Sequence, residues 1–205
     1  MLSHLRSRVG PLKRCLAWPF LRLGWSPASL SALGILLAVL AAAAARWGAV
    51  PLSFSLALAS LLTDLVDGEV ARQTGLETPE GNYLDAMGDR LSECILLFGL
   101  LPLAPNLVTL ALAGGCLVSF AKARCALVCL MDNRDWPGWG DYPDRAALIA
   151  LAYLLQPDCT GPLVFLSVLT AMGLAQRVRY ARSFIASAPA DKLQPYLRPS
   201  SRYQR

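Results

Sequence analysis

Two neighbouring stretches decide how the chain folds: Leu61-Leu-Thr-Asp64-Leu-Val-Asp67-Gly68-Glu69-Val-Ala71-Arg72 and Gly81-Asn-Tyr-Leu-Asp85-Ala-Met-Gly-Asp89-Arg90. Each sets acids into an otherwise helix-compatible, apolar run. Asp64 and Asp67 are three apart and share one helix face, and Asp85 and Asp89 are four apart and share another. Only residues 73–80 join the two stretches, so they predict antiparallel neighbours with four carboxylates at one end.

The residues around these stretches set their solvent. Of 205 residues, 55% are hydrophobic and 16% charged, and the mean hydropathy is +0.45. Soluble domains carry about 25% charged residues. The composition excludes a disordered chain. It also excludes a disulfide-stapled secreted domain, because the six cysteines form no CxxC pair. The cysteines read as buried small hydrophobes.

Uncharged runs stand at 23–45, 47–63, 94–121, 146–157 and 159–176. The third is too long for one span and is broken near Pro102 and Pro105. Six transmembrane helices are predicted, at 27–46, 50–72, 83–103, 106–130, 143–157 and 160–182. The fold class is therefore all-α integral membrane, with an amphipathic interfacial segment in front. Three regions follow: a basic amphipathic segment at 1–22, a membrane domain at 23–186 and a polar tail at 187–205.

Leu2, Leu5, Val9, Leu12 and Leu16 recur at helical spacing between Arg6, Arg8, Lys13 and Arg14. They read as an amphipathic segment on the inner surface or, given Pro11, as a basic arm. They do not form a signal peptide core. His4 reads as solvated. Inner loops are enriched in Lys and Arg. Both termini are basic, and of 19 Lys and Arg only Arg46 falls in a predicted outer loop. Both termini are thus expected in the cytoplasm. Topology accounts for the net charge of +5, and no nucleic-acid partner is needed.

Carboxylates at membrane depth are costly and mark functional sites. Four together need protons, arginines or cations. An all-carboxylate set suits a hard cation, and no His or Cys nearby favours zinc. Gly68 and Ala71 either leave room for a ligand or permit close helix packing.

The pattern Asp64-x2-Asp67-Gly68-x2-Ala71-Arg72-x8-Gly81-x3-Asp85-x3-Asp89 resembles the signature of the CDP-alcohol phosphatidyltransferase family at every position. The resemblance implies transfer of a phosphatidyl group from CDP-diacylglycerol to an alcohol, with release of CMP. It implies that Asp64, Asp67, Asp85 and Asp89 hold two Mg²⁺ or Mn²⁺ ions and that Asp89 also takes the acceptor's proton. It assigns Pro27, Ser29, Gly68, Ala71, Arg72, Thr78 and Gly81 to the CDP donor. It also implies a homodimer in the cell's inner membrane. The family commonly enters its first helix through Thr/Ser-Pro-Asn-x-x-Thr, but here Ala28 replaces the Asn-like residue.

The acceptor is read from further resemblances. Asp89-Arg90-Leu-Ser92-Glu93 and Ser119-Phe-Ala-Lys122-Ala-Arg124 resemble segments of phosphatidylinositol-phosphate synthases and archaeal inositol-phosphate enzymes. Tyr142-Pro-Asp-Arg145 is similar to their Arg-Pro-Glu-Arg segment, with Tyr in place of the first Arg. Ser119, Lys122, Arg124, Arg145, Arg177 and Arg179 are expected to bind a phosphate on the acceptor. Inositol phosphate is favoured, and glycerol 3-phosphate or another alcohol is the alternative. A cation transporter would often show two related halves, and none is found. An inactive scaffold would have been suggested by a missing acid.

Overall fold

The computed structural model describes residues 10–129, 136, 139–189 and 192–193. Leu2, His4, Leu5, Arg6, Arg8 and Val9, and most of the 187–205 tail, lie outside the described residues.

Seven helices follow in order: α1 Gly10–Arg22, α2 Pro27–Arg46, α3 Val50–Thr74, α4 Pro79–Gly99, α5 Pro105–Val128, α6 Tyr142–Leu154 and α7 Thr160–Ser187. Every regular element among the described residues is a helix, and one isolated bridge pairs Cys129 with Leu193. The molecule is an all-α membrane protein. Four helices, α2, α3, α5 and α7, are long and apolar enough to cross a bilayer. Helix α4 is long enough but carries the acids. Helix α6 has 13 residues and is about 20 Å long, short of the roughly 30 Å of a hydrocarbon core.

Local chemistry sets the ends. Ser26 caps α2 by accepting from the Ser29 amide, and Pro27 fills the first turn. Helix α3 stops at Gly75, whose φ of 67° is left-handed. Helix α4 begins before the expected residue 83 because Thr78 caps it and Pro79 follows. It also ends short of residue 103, at Gly99. Helix α7 runs five residues past the expected 182. Helix α1 tolerates Pro11 because that residue sits in its first turn.

Helix α2 packs on α3 and α4, α5 on α7, and α6 on both α3 and α7. The central core includes Ala38, Ala41, Leu96, Leu100, Ile149 and Tyr153. Leu16, Ala17, Phe20 and Leu21 of α1 pack against Leu30, Val66 and Val70, so the amphipathic helix is seated on the bundle. Outward-facing Leu36, Leu110, Leu117 and Phe165 are exposed, as lipid contact requires. Cys125, Cys129 and Cys159 are buried, whereas Cys15 and Cys116 are exposed.

Small residues set the closest approaches. A Cβ on Gly99 would lie 2.6 Å from the Ala42 Cα and 2.6 Å from the Tyr153 hydroxyl. Gly114 leaves room for Thr170, and Gly115 for Glu93. Gly99→Leu is therefore expected to push α4 off α2 and destabilise the fold by about 1–3 kcal/mol or more. Thermal unfolding in detergent checks this, and an unchanged midpoint would refute the close contact.

Candidate active site

The C-terminal half of α3 and the N-terminal half of α4 meet beside the start of α2. One carboxylate oxygen from each of Asp64, Asp67 and Asp85 lies within 4.8 Å of the others. Asp89 faces Asp64 and Asp85. The four acids line one cleft with Ser31, Gly34, Ser60, Gly88 and Ser92. The Ser31 hydroxyl donates to Asp67 Oδ2 at 2.6 Å. The Gly68 amide donates to Asp67 Oδ1 at 2.6 Å.

Arg90 is near enough to Asp89 for their charges to interact, yet the ion pairs of the nearby arginines are made elsewhere. Arg72 Nη2 donates to Glu69 Oε2 at 2.7 Å, and Arg90 Nη1 donates to Glu93. Both nearby arginines are thus bonded to glutamates outside the cleft. Asp89 Oδ1 is buried without a hydrogen-bond partner. Converging carboxylates with an orphaned oxygen fit a hard divalent cation. Repulsion among them would otherwise require protonation.

The remaining residues of the signature lie around this cleft in different states. Nothing stands within 4 Å of a Cβ built on Gly68, so a ligand can approach the backbone there. Arg72 is exposed, with its side chain 49% accessible. Thr78 Oγ1 accepts from the Gly81 amide at 2.9 Å, so both residues form the cap of α4. Ser29 Oγ donates to the Ser26 carbonyl at 2.7 Å and is engaged in the cap of α2. Pro27 and Ala71 are half-buried.

The cations expected at an acceptor phosphate split into two groups. Arg145 is 2% exposed. Its Nε donates to Glu93 Oε1 at 2.7 Å, and its Nη1 donates to the Gly140 carbonyl. Arg177 turns inward, donating through Nη1 to the Val118 carbonyl at 2.7 Å and through Nη2 to Asp141. Its Nε is buried and lacks a partner. Arg177 also lies close enough to Arg90 to feel its charge. By contrast, Arg124 and Arg179 are exposed, and Ser119 and Lys122 are half-buried. Between Arg177 and Arg179, the structure turns the first into the bundle and the second out of it.

The sequence alone leaves three partners unassigned. Ser31 occupies the final Thr position of the helix-entry pattern, and that signal was available. Glu93 continues the face of Asp85 and Asp89, and its bond to Arg90 is local to α4, but its bond to Arg145 depends on a contact between α4 and α6. Asp141 had no signal beyond its place before a helix.

This arrangement agrees with what the chain resembles. The sequence pattern of the CDP-alcohol phosphatidyltransferase family matches residues 25–178, and the chain belongs to that family of transferases. It is 31% identical over 131 residues to the archaetidylinositol phosphate synthase of Pyrococcus horikoshii, covering 62% of this chain and 69% of the relative. The fold is that of the Mycobacterium tuberculosis phosphatidylinositol phosphate synthase. Its crystal structure with CDP-DAG bound superposes with a TM-score of 0.69 at 22% identity, covering 84% of this chain and 94% of that one. The same enzyme in complex with manganese and citrate gives a TM-score of 0.69 at 22% identity, with 83% and 89% covered.

Proposed function

We propose that the enzyme transfers a phosphatidyl group from CDP-diacylglycerol to a phosphorylated polyol, with inositol phosphate preferred, and releases CMP in phospholipid synthesis. The observation that carries this reading is that four carboxylates line one cleft, three of them within 4.8 Å of one another, while both nearby arginines are bonded elsewhere. Asp64, Asp67, Asp85 and Asp89 hold two divalent ions, Mg²⁺ or Mn²⁺. When bound, the ions neutralise the diphosphate and stabilise charge on the departing CMP.

The protein's own groups do the rest. Asp89 accepts the proton of the attacking hydroxyl, and its orphaned Oδ1 is the free lone pair for that task. Gly68 admits the nucleotide against the backbone, and Arg72 reaches a donor phosphate with its permanent, forked charge. Pro27, Ser29, Ala71, Thr78 and Gly81 shape the rest of the donor site. Ser119, Lys122, Arg124, Arg145, Arg177 and Arg179 form the acceptor-phosphate side. The unpartnered Nε of Arg177 supports an anion there, and so does the name of the Pyrococcus relative.

In the same reading, residues 23–186 form a six-span domain in the inner membrane, with 1–22 and 187–205 as flanking cytoplasmic segments and the active chain a homodimer. The basic ends and the single outer-loop cation, Arg46, support that orientation. A donor with acyl tails in lipid and a headgroup in water suits a cleft at the inner boundary.

The test is CMP release by purified protein with CDP-diacylglycerol and Mg²⁺ or Mn²⁺ across inositol 1-phosphate, glycerol 3-phosphate, inositol, glycerol and serine. Release with inositol 1-phosphate alone is expected. Release with glycerol 3-phosphate alone would keep the chemistry and replace the acceptor.

A further inference from the structure

Tyr142 opens α6, and its side chain reaches back towards the acidic cleft. Its ring lies 4.9 Å from the Arg90 guanidinium carbon, measured to the ring centroid. Its hydroxyl sits against the carboxylates of Asp64 and Asp89. That oxygen is sealed from solvent and makes no hydrogen bond of normal geometry, although the Asp64 carboxylate is near enough to draw its proton. Asp89 Oδ1 is sealed and unpartnered in the same way.

Buried polar atoms without partners are rare, and each calls for an explanation. Here a donor and an acceptor are both unsatisfied beside one cleft. A third hydroxyl would satisfy both at once, because it donates one hydrogen bond and accepts others. The proposed reaction brings such a group to Asp89, namely the attacking hydroxyl of the acceptor alcohol.

We propose that Tyr142 is a further acceptor-binding residue, whose O–H donates to the attacking hydroxyl while that hydroxyl donates to Asp89 Oδ1. One lone pair of the hydroxyl then remains for the phosphorus. Tyr142 transfers no proton. It fixes the direction of the nucleophile, and its ring is held by Arg90, which Glu93 holds in turn. Tyr142 also stands where similar segments carry an arginine. At that position this chain presents a neutral hydroxyl to the acceptor's alcohol instead of a charge to its phosphate.

This inference rests on the reading of Asp89 as the base, and the experiment separates the two. Steady-state CMP release is measured for wild type and Tyr142→Phe with purified full-length protein, varying CDP-diacylglycerol and the acceptor independently. Phe keeps the ring over Arg90, so an unchanged melting midpoint is expected. The predicted result is a loss of about tenfold or more in kcat/KM for the acceptor with an unchanged KM for the donor. Equal kinetics in the two proteins would overturn the role of Tyr142 and leave the transferase reading intact. Equal weakening of donor and acceptor would also overturn it, because a general disturbance of the cleft would then explain the loss. A wild type that releases no CMP with any acceptor would overturn the transferase reading beneath it.

Discussion

Asp89→Asn is expected to reduce CMP release by about 10²–10⁴-fold, the range supplied by a positioned general base. Asparagine keeps the size of the side chain but cannot take a proton from the acceptor hydroxyl, and it is a poorer ligand for a hard cation. The cost falls on chemistry and not on folding. Asp89 Oδ1 makes no hydrogen bond that the substitution would break, and removing one of four like charges relieves repulsion. The melting midpoint in detergent should therefore stay level or rise. Asp67→Asn should show the same loss of turnover. It should disturb the fold slightly more, because Asp67 accepts from Ser31 at 2.6 Å. Turnover within tenfold of wild type in either variant would remove the acids from the mechanism.

Glu93→Gln carries the largest expected effect on stability. Glu93 is buried and links α4 to α6 through charge: it accepts from Arg90 on its own helix and from Arg145 Nε on α6 at 2.7 Å, and it fills the space that Gly115 leaves on α5. The amide would leave the 2% exposed Arg145 without a counter-charge. Breaking one side of a buried pair costs roughly 3–5 kcal/mol, which corresponds to a fall in melting midpoint on the order of 10 °C. Differential scanning fluorimetry in detergent reads this directly. A midpoint unchanged within error would mean that the pair is not the clamp between α4 and α6.

Much of this was legible in the sequence where the signal was local. The span at 27–46 coincides with α2 because Ser26-Pro27 is a helix start and Trp47-Gly48 a stop. The spacing of Asp64, Asp67, Asp85 and Asp89 already implied their convergence, since the 73–80 connection left the two helices little freedom. The apolar pattern puts the start of α4 late because it begins after the helix's exposed, polar first turn. The cap at Thr78 carried that information instead. Long-range partners were a different matter. The bond from Arg145 to Glu93 spans 52 residues, and that from Arg177 to Asp141 spans 36. No periodicity records which carboxylate a buried arginine will find. Resemblance and charge together point to Arg145 and Arg177 as phosphate ligands. The structure shows that they also bind α4, α5 and the start of α6 together.

The central claim is that the acidic cleft uses a divalent cation to transfer a phosphatidyl group. The most direct measurement is CMP release by the purified protein with CDP-diacylglycerol and inositol 1-phosphate, first with EDTA and then with Mn²⁺ or Mg²⁺ restored. The account predicts no release in the chelator, recovery with either metal, and no recovery by the Asp89→Asn protein. Undiminished release in EDTA would contradict it.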